Sequence, residues 1–235
     1  MVESAPYAIS SLPTQNVSSS TAKAQSGNHR SADEMCNLDQ LLDVSTKVLG
    51  QAIDLLDNSL NSDDQLTVSS AYLPGSTIGD CLLCPHLELT SSNAALAGKH
   101  LRHARDHFVL LLECIASPPP HVLSYDKRSR NTPMESSRQA ARGAILETIA
   151  KLNAIVPQSR LDTPLILNAV TPYDQTFQST FGRELWFASL HAVHHWSMVR
   201  VITGELNIQL EETFGFAPST LVHQGKDGPL GKAKI

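Results

Sequence analysis

The fold is decided by a stretch near the carboxyl end, which reads Phe181-Gly-Arg-Glu-Leu-Trp-Phe-Ala-Ser-Leu-His191-Ala-Val-His194-His195-Trp196. Its apolar residues recur at three- and four-residue steps, which predicts a helix over about residues 180–207, capped by Ser179 or Thr180. Residues four apart lie on the same face of a helix, so His191 and His195 can bind one metal ion together. The stretch therefore predicts a long helix that carries part of a metal site.

A second group of histidines lies on an earlier apolar segment, which is also expected to be helical and to run to about Ala116. This group contains His100, His103 and His107, and one or two of them are expected to face inward. Catalytic metal sites commonly use three protein ligands, so this segment can supply the third. The spacing leaves open which of the three does so. Neutral imidazoles suit zinc, nickel, iron or copper.

Two further features are candidates for the same site. Glu184 lies two helical turns before His191 on the inward face, where it is a candidate acceptor for a ligand histidine or a candidate base. Arg128 and Arg130 follow Tyr125 in a charged connection and are a candidate anion-binding rim. The alternative for the two arginines is a solvated loop.

The four cysteines indicate reduced thiols in place of a disulfide framework. Cys81 and Cys84, followed by His86, look like half of a zinc knuckle, but the sequence has no second pair at matching spacing. Two incidental cysteines are therefore the favoured interpretation. Joining Gly79 directly to Lys99 would give one continuous capped helix, so residues 80–98 are interpreted as an insertion. Our hypothesis of a retained intron translated in frame would be refuted if every mature transcript carried these codons.

Composition excludes several classes of function. The chain has 235 residues and a formal net charge of −5, with no clustered basic face, so a nucleic-acid partner is not expected. No apolar run is long enough to span a bilayer, and the amino terminus lacks the features of a signal peptide. The expected location is cytoplasmic.

The pattern along the chain predicts an all-α fold. Residues 1–37, which are rich in Ser, Ala and Gln, are expected to form a disordered tail, and helix 1 is expected to cover about residues 38–60. Helix 3 is predicted to begin at the capping box Thr132-Pro133-Met134-Glu135 and to run to about Ile155, before a short β-like stretch at 164–170. The sequence thus predicts a four-helix bundle over 38–216, with a long crossover between helices 2 and 3 and a carboxyl-terminal tail over 217–235.

Two motifs carry a resemblance to a known family. His100-Leu-Arg-His103-Ala-Arg-Asp106 and His191-Ala-Val-His194-His195-Trp-Ser-Met198 resemble the helix motifs of the DinB-like superfamily. The resemblance covers about residues 38–216. It implies a metal-binding four-helix bundle with His103, His191 and His195 as ligands, zinc or nickel as the metal, and a homodimer. It also implies thiol-dependent transferase or hydrolase chemistry, as found in some members.

Two functions follow as competing expectations. In the first, the ion bound by the three histidines activates water or a thiol cosubstrate, which attacks a small electrophilic substrate. In the second, the bundle is a non-catalytic binding or interaction module that a metal stabilises. Turnover measurements, together with the effect of metal removal on melting and on ligand binding, distinguish the two.

Overall fold

The computed structural model describes residues 32–68, 70, 96–127 and 129–226. Its helices are α1 (Ala32–Asp54), α2 (Leu96–Ala116), α3 (Arg138–Ile155), α4 (Phe181–Glu205) and α5 (Pro218–His223). Its strands are β1 (Val122–Leu123), β2 (Pro164–Ala169) and β3 (Gln175–Thr180). Short helical turns cover Leu55–Ser59, Asp63–Leu66, Pro133–Glu135 and Val156–Gln158. The described part of the chain is therefore mostly helical.

The four long helices pack around one apolar core. α2 lies along α4, α1 packs against both α3 and α4, and α2 also packs against α3. The largest side chain in this core is Trp196, which is fully buried and donates its indole N–H to the carbonyl of Val48 at 2.8 Å. The hydroxyls of Ser45 and Ser189 meet at 3.0 Å between α1 and α4. Small side chains at that contact let the two helices approach closely.

A small sheet corrects the all-α prediction. β1 pairs in parallel with β2, and β2 pairs antiparallel with β3, so that Ile166 lies between Val122 and Gln178. β2 falls on the predicted β-like stretch, but β3 was not predicted, because its sequence Gln175-Thr-Phe-Gln-Ser-Thr180 has little apolar alternation. Long connections lie on both sides of α3, and the one over 156–180 holds β2 and β3.

The sheet fixes the start of the helix that carries the central histidines. Thr180 ends β3 and is also the N-cap of α4, where its hydroxyl accepts a hydrogen bond from the backbone N–H of Arg183 at 3.3 Å. The backbone N–H groups of Phe181 and Gly182 donate to the carbonyls of Thr163 and Leu161, both at 2.9 Å. These bonds satisfy donors that a helix start leaves unpaired. The predicted helix 4 is confirmed.

Other predicted boundaries shift. α1 begins at Ala32, six residues before the predicted start at 38, and it continues as a π-helical turn to Ser59. The capping box at Thr132 forms, with the backbone N–H of Thr132 donating to Oε1 of Glu135 at 3.2 Å, but it closes only a single 3-10 turn. α3 begins instead at Arg138, capped by the Ser137 hydroxyl. α5, within the expected carboxyl-terminal tail, was not predicted.

Several predictions lie outside the described residues. These are the tail before residue 32, the cysteine pair Cys81 and Cys84, most of the interpreted insertion 80–98, the side chain of Arg128 and the last residues after 226. The domain boundaries themselves stay predictions. Within the described ranges, no helix combines the length and the apolar character that crossing a bilayer requires.

Candidate metal centre

The histidines of α2 and α4 meet where these two helices lie side by side. His103, His191 and His195 each offer a ring nitrogen, and these three nitrogens all lie within 4.8 Å of one another. His191 and His195 are one helical turn apart, with their Nε2 atoms separated by 3.0 Å. The ring of His103 reaches across from α2, with its centroid 4.7 Å from that of His195 and 5.2 Å from that of His191. The three predicted ligands are therefore brought together.

The two remaining histidines of α2 also face inward, which corrects the expectation that only one or two of the three would do so. Nδ1 of His100 lies 2.8 Å from Nδ1 of His195. His107 lies on the other side of the group, with its ring centroid 3.9 Å from that of His191, and its Nδ1 donates to the backbone carbonyl of His103 at 3.1 Å. All three are buried because the α2 face that carries them packs directly on α4.

Burial sets the charge state of these imidazoles. Desolvation lowers the pKa of His191 to about 3, and the charges that His107 and His194 would carry act in the same direction. Desolvation, with a smaller effect of His194, lowers the pKa of His100 to about 4. The pKa of His195 is also lowered, first by burial and then by the neighbouring histidines. These rings are therefore neutral at pH 7, the form in which a ring nitrogen can bind a cation.

Glu184 is buried at the start of α4, where it accepts three hydrogen bonds. Its Oε1 accepts from the hydroxyl of Ser179 at 2.5 Å and from Nη1 of Arg183 at 2.7 Å. Its Oε2 accepts from the hydroxyl of Tyr125 at 3.0 Å. These three contacts are to Tyr125, Ser179 and Arg183, and the predicted role as an acceptor for a ligand histidine stays a prediction. Any role as a base stays a prediction.

Tyr125 joins this carboxylate to the histidines, and sequence reasoning did not assign it that role. Its ring stacks on His107 at a centroid distance of 4.5 Å. Burial, followed by the negative charge of Glu184, raises the pKa of Tyr125, so the phenol stays protonated and donates. The available signal was that a buried carboxylate on an inward helix face needs hydrogen-bond donors from elsewhere in the chain.

The remaining predicted residues lie outside the group. His194 is exposed, with its ring centroid 5.2 Å from that of His195, as expected for a residue off the inward face. Arg130 is exposed on the connection after β1, and the anion rim stays a prediction. Cys114 is a buried free cysteine, and burial raises the pKa of its thiol, so it packs as a small apolar side chain.

Comparison with known proteins corrects the expected family. The chain is similar to FK506-binding protein 5 of Rhizopus delemar, with 32% identity over 189 residues, which cover 77% of this chain and 37% of that protein. The chain thus spans little more than a third of this relative's length. No protein-family model matches the chain. No solved structure matches it.

The resemblance to the DinB-like superfamily is overturned by this comparison, because the matched relative carries the name of an FK506-binding protein. The DinB-like transferase or hydrolase activity inferred from that resemblance is therefore wrong as well. Two short histidine motifs were the basis of that inference, and the match to the relative extends over most of the chain. The comparisons add no support for metal binding, so the cofactor now depends on the geometry of the histidines alone.

Proposed function

We propose that this chain binds one divalent transition-metal ion through His103, His191 and His195. The observation that carries the proposal is the convergence of three ring nitrogens within 4.8 Å, supplied by two different helices. Helices fix backbone positions better than loops do, so these nitrogens are held together before an ion arrives. The proposal concerns the binding site and assigns no reaction to it.

The surroundings of the three rings support a cation. Buried ring nitrogens need polar partners, and one ion can bind several of them at once. Three imidazoles in the neutral form are borderline donors, which favour zinc or nickel over magnesium or calcium. Three protein ligands also leave a coordination position for water or for a donor atom of a small molecule. A small-molecule partner, a thiol among the candidates, stays a prediction.

The scaffold proposed for this site is a four-helix bundle. The packing of α1 on α3 and α4, and of α2 on the same two helices, supports that proposal. In such bundles, metal ligands project inward from facing helices. The small sheet lies in the connections between helices, and it orients α4 through Thr180.

Calorimetric titration of the metal-free chain with zinc and with nickel tests the proposal. We expect one ion per chain, and we expect tight binding to be lost in His103→Ala, His191→Ala and His195→Ala. His194→Ala is the matched control, because this exposed histidine lies on the same helix between two of the ligands. Purified protein without metal that also binds neither ion would contradict the proposal, as would equal loss in the control.

A second candidate function is binding of FK506, which the name of the Rhizopus delemar relative gives to that protein. The match over 77% of this chain favours FK506 binding, although it covers only 37% of the relative. Titration of FK506 into the full chain is the test. Saturable binding would support this function. Absence of binding would exclude this function for the chain.

A further inference from the structure

Both ring nitrogens of His195 make close contacts with other histidines. Its Nε2 lies 3.0 Å from Nε2 of His191, another of the three proposed ligands. Its other ring nitrogen, Nδ1, lies 2.8 Å from Nδ1 of His100. Both distances are within hydrogen-bond range. Whether each nitrogen of His195 donates or accepts therefore depends on whether the neighbouring nitrogen accepts or donates.

A neutral imidazole has one N–H and one lone pair. If Nε2 of His195 gives its lone pair to an ion, its hydrogen must be on Nδ1. That hydrogen then points at Nδ1 of His100, which must accept it. In the opposite arrangement, His100 would donate to Nδ1 of His195, and the hydrogen on Nε2 of His195 would block the ion.

We propose that His100 is a positioning residue for His195, and that it accepts the Nδ1–H of His195 and thereby directs the Nε2 lone pair of His195 at the ion. This inference rests on the proposed function, because it concerns the same site. Residues that orient a ligand histidine typically change metal affinity by 10- to 100-fold when they are removed. Here the orienting group is itself an imidazole, one helical turn before the ligand His103.

The location of His100 suits this role. It is 2% exposed, so water does not compete for the contact with His195. Its Nε2 is buried and has no hydrogen-bond partner among the residues that the structure describes. Acceptance at Nδ1 places the hydrogen of His100 on this Nε2, so the contact with His195 is the hydrogen bond that fixes the ring of His100.

Substitution of His100 tests the role in the full chain. His100→Leu keeps an apolar group of similar bulk but removes the acceptor, and we expect zinc affinity to fall by about 10- to 100-fold. His100→Asn places a carboxamide oxygen near the position of Nδ1 and is expected to recover most of that loss. His194→Leu is the control, expected to bind zinc as the unchanged chain does. Equal affinity in the unchanged chain, His100→Leu and His100→Asn would overturn the inference.

Nitrogen NMR of the unchanged, zinc-loaded chain gives a second readout that needs no variant to fold. We expect His195 to be coordinated through Nε2 and to show a protected Nδ1–H. Coordination through Nδ1 would overturn the role of His100 while leaving the metal site intact. Failure of the unchanged chain to bind zinc would instead overturn the proposed function, and the inference with it.

Discussion

Tyr125 donates its phenolic hydrogen to Oε2 of Glu184 at 3.0 Å, across 59 positions of sequence. The side chain of Glu184 is 0% exposed, and its other oxygen is paired with Ser179 and Arg183. Among the described residues, Tyr125 is therefore the donor that satisfies Oε2. The same tyrosine stacks on His107, so the pair connects the base of α4 to the histidine group.

Tyr125→Phe is expected to destabilise the fold by about 1.5–3 kcal/mol, because it leaves a buried carboxylate oxygen without its donor. The free energy of unfolding from urea denaturation measures the effect. Tyr173→Phe is the matched control, since Tyr173 is largely exposed, and a change within about 0.5 kcal/mol is expected there. Equal effects of the two substitutions would mean that the hydrogen bond to Glu184 contributes nothing specific.

Zinc is expected to stabilise the chain. At a free concentration about 100 times the dissociation constant, an ion that binds only the folded state adds about 2.7 kcal/mol to the free energy of unfolding. A chelator should remove this increment, and His191→Ala should abolish it. Denaturation with and without zinc measures it. An increment that persists in His191→Ala would place the ion elsewhere in the chain.

Acid is expected to destabilise the metal-free chain. The pKa of His100 in the folded state is about 4 and that of His191 about 3, both below the ordinary value of 6.5. As the pH falls from 6.5 towards these lower values, the unfolded chain binds protons that the folded chain does not. The free energy of unfolding therefore decreases as the pH decreases. The slope is about 1.4 kcal/mol per pH unit for each proton taken up.

Urea denaturation between pH 7.5 and pH 4, with a chelator present, measures this slope. Above pH 7, His100 and His191 are neutral in both the folded and the unfolded chain, so they should hardly affect the pH dependence of the free energy of unfolding. His100→Asn removes one titrating group and should reduce the slope by about 1.4 kcal/mol per pH unit, the contribution of one proton. An equally steep slope in that variant would show that other residues cause the acid sensitivity.

The sequence predicts the parts of the site that are local. The spacing of His191 and His195 places both on one helix face, and α4 forms where its periodicity and Thr180 cap predict it. The contact between Tyr125 and Glu184 could not be predicted, because it depends on how the connection after α2 folds against α4. The burial of His100, His103 and His107 likewise depends on how closely α2 lies along α4, which helical spacing alone does not determine.

Two arginines that each pair with carboxylates are expected to contribute very different amounts to the free energy of unfolding. Arg102 is buried, with Nε 3.0 Å from Oε1 of Glu135 and Nη1 3.1 Å from Oδ2 of Asp106. Removing one partner of a buried charge group costs about 3–5 kcal/mol, because the remaining charges stay buried. Arg102→Leu should therefore destabilise the chain by that amount, measured by urea denaturation.

The matched control is Arg142→Leu. Arg142 pairs with Asp57 at 2.8 Å, but both side chains are well exposed to solvent. Such pairs contribute at most about 1 kcal/mol. A similar cost for the two substitutions would indicate that the group around Arg102 is relaxed by water or by protonation of a carboxylate, since burial raises the pKa of Asp106 despite its arginine neighbours.

Gly98 lies where α2 passes the 3-10 turn before α3, and substitution by alanine tests how closely these backbones meet. A Cβ at Gly98 would lie 2.1 Å from the backbone carbonyl oxygen of Glu135, a contact that a flexible side chain cannot relieve. Gly98→Ala is expected to cost about 1–3 kcal/mol as an overpacked contact. Gly143, inside α3, has nothing within 4 Å of the same added atom. Gly143→Ala should therefore stabilise by about 0.5–1 kcal/mol.

The two glycine substitutions should thus have opposite signs in urea denaturation, and equal signs would contradict the close approach of α2 to Glu135. Zinc titration tests whether α2 moves in Gly98→Ala. Because Gly98 and His103 share α2, relief of the contact by movement of that helix should carry His103 away from His191 and His195 and weaken zinc binding. Gly143→Ala leaves α2 in place and should not change zinc affinity. Unchanged affinity in Gly98→Ala would mean that the turn at Glu135 moves and α2 does not.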